Sequence, residues 1–380
     1  MGSFYSKDYG EYFAQLEKEV EIKARMEERE QKNENLSAED FKRKRRQKLI
    51  LKARLIRAGV AILCLAVVVG LVSLIISVSK GEKTATPKKT TADKKEKATL
   101  YAKATKDTDN MSKVKNLYKG DGTLSGIESE SGIIVNLKNK TVLSSKNESK
   151  RLSPASLTKI MTLLVAVENI TDYEQTFTMS YKIINPIYGE ASMAGYSSGE
   201  VLTVDDLLYG TILPSGGEAA VGLGVMISGS EEEFVKLMND KAKQLGLKNT
   251  NFANCTGLYD SNHYTTAEDL AVIFSQALKN DKCREILTTQ KYVSSDTSQH
   301  PGGLTLHSDL FLNMKGTESE GADVLGGKTG FVSEAGFCLA TFAKDSSGNE
   351  FICITLNADS KWPAFYDHIN IYSAYTKKES

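Results

Sequence analysis

The sequence predicts an α/β domain of the α+β kind, an antiparallel sheet flanked by helices with a helical subdomain, carried behind a single N-terminal transmembrane helix. Three observations predict it. A charge-free apolar run, AGVAILCLAVVVGLVSLIISV, occupies residues 58–78. After about residue 120 a Lys-, Thr- and Ala-rich composition gives way to patterned apolar segments. Those segments run strand, then helix, then strand, which requires a sheet joining both ends of the domain with helices set against it.

The apolar run has 21 residues, and about 20 residues at 1.5 Å rise cross the hydrocarbon core of a bilayer. A cleaved signal peptide has a shorter apolar stretch near the chain start, whereas this one follows 57 residues. The run therefore reads as a retained signal-anchor. KRKRRQKLILKARLIR, at 42–57, lies immediately before it and is denser in Lys and Arg than the segment after it. That bias places residues 1–57 in the cytoplasm and the rest outside a cell membrane crossed once.

Residues 1–57 read as a helical and basic segment with little core of its own, in which SAED at 37–40 fits a capping box. Residues 79–119 have too few large apolar side chains to offset chain entropy and read as a flexible extracytoplasmic linker. Lys plus Arg equals Asp plus Glu at 48 each, so net charge points to no nucleic acid.

Residues 120–380 form the folded domain. SGIIVNL and KTVLSS, on either side of KNK, predict a hairpin. Residues 156–170, 203–214, 230–246 and 265–280 carry apolar side chains at three- and four-residue spacing, most of them after a Ser or Thr cap followed by acids. VLGGKTG, GFCLATFAK and NEFICITLNA return to strands, the last two around DSSG, and AFYDHINIYSAY closes as a helix.

RLSPASLTKIMT, at 151–162, sets Ser156 and Lys159 three residues apart at the start of a helix. That spacing puts both on one face with their tips within reach. Serine is a weak nucleophile without a base, and a lysine becomes one when burial lowers its pKa. LPSGGEAAVG places Ser215 in a Gly-rich turn that opens another helix, and GGKTGFVSEAGFCLA places Lys328, Thr329 and Gly330 at the end of one strand, before the start of another.

These three pieces resemble the S-x-x-K, S-x-N and K-T-G motifs of the penicillin-binding protein and serine β-lactamase superfamily. NTNFANCTGLYDSNHYTTAEDLA and the segments around the motifs extend the resemblance to the D-alanyl-D-alanine carboxypeptidases over about residues 125–375. The resemblance implies a β-lactamase/transpeptidase-like fold and removal of the terminal D-alanine from a peptidoglycan stem peptide through an acyl-enzyme. β-Lactams would be covalent inhibitors. It assigns Ser156 as nucleophile, Lys159 as general base and Ser215 as proton shuttle to the leaving amine. Lys328 and Thr329 would bind the substrate carboxylate, Gly330 would let the backbone approach the ligand, and the N–H groups of Ser156 and Phe331 would form the oxyanion hole. The N-terminal span would take the place of the C-terminal anchor that many relatives possess.

Two positions depart from the pattern. Gly217 stands where the second motif has Asn, so a polar positioning group is lost or replaced by water. The basic residue expected before K-T-G has His307, in LTLHSDLF, as its nearest counterpart; either a substrate role or a surface role fits it. A β-lactamase would also want an acid in an E-x-x-x-N segment, and none stands out between Ser215 and Lys328. A penicillin-binding scaffold without catalysis would have no chemical reason to retain Ser156, Lys159, Ser215 and Lys328 together. No cofactor is implied. The four His, including His263 in a loop, are scattered, and no metal-binding spacing occurs. Cys255, Cys283, Cys338 and Cys353 read as buried thiols, although Cys338 and Cys353 fall on strands expected to be neighbours.

Overall fold

The structure, a computed structural model, describes residues 124, 126–314 and 321–376. The segments expected to be cytoplasmic (1–57), membrane-spanning (58–78) and linker (79–119) lie outside these residues. Among the described residues no helix is long and apolar enough to cross a membrane.

The domain opens with β1 (Ser131–Asn136) and β2 (Thr141–Lys146), the predicted hairpin. Asn136 Oδ1 accepts the N–H groups of Lys138 and Asn139 and so shapes the turn between them. A one-turn 3-10 segment (Ala155–Leu157) leads into α1 (Thr158–Asn169). There follow β3 (Thr176–Thr178), α2 (Tyr181–Ile187), β4 (Val201–Thr203), α3 (Val204–Ile212), α4 (Gly217–Ser228) and α5 (Glu231–Gln244). Next come α6 (Ala267–Lys279), α7 (Asp281–Thr288), β5 (Lys291–Val293), β6 (Thr305–His307) and α8 (Asp309–Met314). The chain returns to the sheet with β7 (Ala322–Val332), β8 (Gly336–Asp345) and β9 (Glu350–Ala358), and α9 (Lys361–Tyr375) covers it.

The cap signals do what their residue types allow. Thr203 and Asp206 form a reciprocal capping box on α3, while Ser230 and Thr266 accept the N–H groups of Glu233 and Asp269 at the starts of α5 and α6.

The main sheet has the order β2-β1-β9-β8-β7 and is antiparallel throughout. Early and late strands meet where β1 pairs with β9, which is the closure that the strand, helix, strand order demanded. β9 is apolar on both faces. Ile352, Ile354 and Leu356 join the main core, whereas Phe351 and Cys353 join a second cluster with Ile371 and Tyr372 of α9. A strand buried on both sides reads in sequence as a continuous apolar run.

On the main-core side, α1 is enclosed by α3, α4, α5 and α6, and its Ile160, Met161 and Leu163 are fully buried. A helix so enclosed cannot shift by an ångström without opening cavities. Lys159 in its first turn, and Ser156 on the 3-10 segment that leads into it, are therefore held by the core. Sequence periodicity did not mark α2, which contains Pro186, nor α7, nor the small sheets β3-β4 and β5-β6. Cys255, Cys283, Cys338 and Cys353 are buried thiols.

Candidate active site

Ser156 sits on the 3-10 turn, half-buried, facing a cleft of about 200 Å³. Ala155 before it adopts φ +47°, a left-handed conformation that is costly for a residue with a Cβ. The surroundings compel it. Thr158 Oγ1 donates to the Ala155 carbonyl at 2.8 Å. His263 Nδ1 accepts the Ala253 N–H at 3.2 Å, so its Nε2 carries the proton and donates to Thr158 Oγ1 at 2.8 Å. Burial pushes the His263 pKa down to about 4, so the ring stays neutral. His263 is thus a structural loop residue, as its isolation in the sequence suggested.

Gly257 closes the same turn from outside. It adopts φ +85°, and a Cβ there would lie 1.9 Å from the Ala155 oxygen. Gly257→Ala should destabilise the protein by roughly 3 kcal/mol or more, the sum of strain and steric cost. Chemical denaturation monitored by circular dichroism measures it, and an unchanged midpoint would refute it.

Lys159 is 1% exposed. Its Nζ donates to Ser156 Oγ at 3.1 Å and to the Thr256 carbonyl at 2.7 Å. Burial, and then the positive charge of Lys328, push its pKa down to about 7. The loop that receives it is fixed in turn. Asn254 Oδ1 accepts the N–H groups of Thr256 and Gly257, and Thr162 Oγ1 donates to the Cys255 carbonyl. Thr256 escaped residue-type reasoning because it acts through its backbone. Its signal was the NCTGL string, with a glycine where the chain must turn left-handed.

Ser215 lies on the opposite wall of the cleft, 3% exposed and with φ +62°. Its Oγ has no hydrogen-bond partner among the described residues. The next residues explain the departure at Gly217. Its N–H donates to the Ser192 carbonyl at 2.7 Å, and a Cβ would meet Ala191 Cβ at 2.9 Å and Ile187 Cδ1 at 3.1 Å. The segment that follows α2 has moved into the space a side chain would need, and it presents Ser192 to the cleft. Gly217 is therefore not a vacant position that an asparagine could simply refill. Gly217→Asn should cost about 1–3 kcal/mol in stability and should not raise activity; a thermal melt beside an activity assay tests both, and a stable, faster variant would contradict the packing argument. Glu218, fully buried behind it, accepts the N–H groups of Gly195 and Tyr196 through Oε1, and burial raises its pKa.

The third wall is β7, an edge strand. Lys328 is 1% exposed, its Nζ donates to the Thr329 carbonyl at 2.9 Å, and burial pushes its pKa down to about 8. Thr329, Gly330 and Phe331 line the cleft beside Ser156. At Gly330 a Cβ would lie 3.0 Å from the Ser156 nitrogen, so the strand backbone runs directly against the nucleophile's turn. Phe331 is half-exposed, with its ring 4.4 Å from that of Phe337.

His307 is exposed at the end of β6, opposite Lys291, and is not among the residues lining the cleft. Asp309, two residues on, does line it, together with Asn313 and with Lys361 and Phe365 of α9. Among the described residues no group of His, Cys, Asp and Glu is placed to hold a metal ion.

A serine hydroxyl hydrogen-bonded to a buried lysine, facing a serine loop and a Lys-Thr-Gly edge strand, has the form of a serine peptidase that works without a histidine base. The D-alanyl-D-alanine carboxypeptidase family profile, peptidase S11, matches residues 119–360, and the chain belongs to that family. It is 37% identical over 221 residues to the D-alanyl-D-alanine carboxypeptidase DacF of Bacillus subtilis, a match covering 57% of this chain and 54% of that one. The D-alanyl-D-alanine carboxypeptidase of Streptomyces sp. strain K15 is 31% identical over 242 residues, 61% of this chain and 81% of its own. The crystal structure of the Streptomyces K15 DD-transpeptidase superposes with a TM-score of 0.60 at 30% identity, covering 65% of this chain and 97% of that one. The chain thus spans about half the length of DacF and most of the Streptomyces protein.

Proposed function

We propose that the chain is a membrane-anchored serine D-Ala-D-Ala carboxypeptidase of the cell envelope, acting on peptidoglycan stem peptides and acylated by β-lactams. The observation that carries the reading is the 3.1 Å contact between Lys159 Nζ and Ser156 Oγ in a site where the amine is fully buried. An amine with a pKa of about 7 is available as a neutral base at physiological pH.

In this reading the terminal carboxylate of the peptide lies against Lys328 and Thr329, with the scissile carbonyl over Ser156. Lys159 takes the hydroxyl proton as Ser156 Oγ bonds to the carbonyl carbon. The N–H groups of Ser156 and Phe331 receive the oxyanion, and the close approach at Gly330 supports that placement. Ser215, with an unpartnered hydroxyl, relays a proton to the leaving amine as the C–N bond breaks, and D-alanine departs. Water then cleaves the ester to free the shortened peptide and Ser156. A β-lactam leaves its amine tethered after ring opening, so the acyl-enzyme persists.

The two lysines fix the pH profile. Acylation needs Lys159 neutral, so activity rises as pH passes about 7. Carboxylate binding needs Lys328 charged, so activity falls as pH passes about 8. A bell-shaped kcat/KM with its maximum between those values is expected, and a profile still rising well above that window would reject the assignment. The experiment for the function itself incubates the full-length protein in detergent with a fluorescent penicillin and with diacetyl-lysyl-D-Ala-D-Ala. Labelling together with D-alanine release supports the reading; labelling without release would mark a scaffold, and rapid penicillin turnover a β-lactamase.

A further inference from the structure

Two buried amines donate to residues that line one cleft, Lys159 to Ser156 and Lys328 to Thr329, and the proposed chemistry needs them in opposite states. Lys159 must be neutral to receive a proton, and Lys328 must be charged to hold a carboxylate. Burial disfavours charge on both, and two like charges at close quarters disfavour each other. Some feature of the site has to make them unequal.

The polar neighbours of the two differ. Lys159 donates only to neutral oxygens, those of Ser156 and Thr256. Lys328 donates to the Thr329 carbonyl, and α8, packed against β7, brings Asp309 to the cleft wall. Asp309 is the one carboxylate among the described residues that line the cleft. Its place is fixed: the backbone N–H donates to the Leu213 carbonyl at 3.0 Å, Asn313 Nδ2 donates to its carbonyl at 2.6 Å, and Leu310 beside it is buried. The hydrogen bond to Leu213 also ties α8 to the loop that carries Ser215.

We propose that Asp309 is a positioning residue whose carboxylate makes Lys328, rather than Lys159, the charged member of the two buried lysines beside the cleft. The inference rests on the reading of Lys159 as the base. Asp309 favours the charged form of Lys328 against burial, and it acts on Lys159 only after Lys328, Cys255 and Glu218. The other charged groups of the cleft and of the helices near it do not serve. Lys159 on α1 and Lys361 on α9 oppose a second cation. Glu218 on α4 is committed to the backbone at 195–196. On α7, which also packs against β7, Arg284 pairs with Glu350 and Glu285 accepts from Tyr209.

The test measures kcat and KM for diacetyl-lysyl-D-Ala-D-Ala between about pH 5.5 and about 10, using detergent-solubilised full-length wild type, Asp309→Asn and Asp309→Glu. In Asp309→Asn the descending limb should move to lower pH by roughly half a unit to one unit, a three- to tenfold loss on the alkaline side carried by KM. Asp309→Glu should restore the limb, which a merely structural role would not produce. A descending limb that stays in place in Asp309→Asn, or a loss equal at every pH, overturns the inference. Penicillin labelling separates the failures: an unlabelled wild type overturns both readings, whereas a labelled wild type with an unmoved limb overturns the role of Asp309 alone.

Discussion

Ser156→Ala is expected to abolish covalent labelling by a fluorescent penicillin and to lower D-alanine release by roughly 10⁴-fold or more. The size follows from the site. Ser215, the other hydroxyl on the cleft wall proposed to act in catalysis, sits in the loop before α4 and lacks the contact with Lys159 that Ser156 has. Removing one oxygen from a half-buried side chain leaves the fold intact, because Ala155 and Leu157 on either side supply the buried contacts of the turn. The variant should therefore melt within a degree or two of wild type, a surface-like effect on stability. Intact-protein mass spectrometry after penicillin treatment measures the outcome, and retained labelling in Ser156→Ala would refute the assignment of the nucleophile.

Replacing Lys159 should have the second largest effect. Lys159→Met keeps an unbranched chain in the buried slot and removes the base, and a loss of roughly 10²- to 10⁴-fold in acylation is expected. Lys159→Arg is the more telling variant. It keeps a cation beside Ser156 but one that does not deprotonate in proteins, so a base role predicts that it is as inactive as Lys159→Met. A purely electrostatic role predicts substantial rescue by arginine. Second-order rate constants for penicillin acylation separate the two. Charge on arginine would also depress Lys328, so its carboxylate affinity should not recover.

Much of this was legible in the sequence, for identifiable reasons. The hairpin, the helices at 204–212, 231–244 and 267–279 and the three late strands follow from periodicity and caps, and local signals survive where tertiary context agrees with them. α2 and α7 were missed because one contains a proline and the other is a two-turn helix too short for a periodic signal. Ser156, Lys159, Ser215, Lys328 and Thr329 were legible because chemistry demands those residue types at those spacings; Ser156, Ser215 and Thr329 line one cleft, and Lys159 and Lys328 are hydrogen-bonded to its wall. Thr256 and Asp309 were not. One acts through a carbonyl that every residue carries; the other is an ordinary acid until the fold sets it beside β7.

Gly217 marks the same limit from the other direction. Read as a sequence, it was a missing amide. In the fold it is a close approach, with Ala191 and Ile187 in the space a side chain would take and Ser192 turned toward the cleft. Nothing in the local string predicts that, because the segment responsible lies some twenty-five residues earlier in the chain.

The most direct test of the Ser156–Lys159 pair is the pH dependence of penicillin acylation, read by mass spectrometry on the tryptic peptide that carries Ser156. An adduct on Ser156 is expected, its rate of formation rising with an apparent pKa near 7, the value set by the buried Lys159. An adduct on another residue, or a rate whose midpoint stays near that of an ordinary exposed lysine, would contradict it.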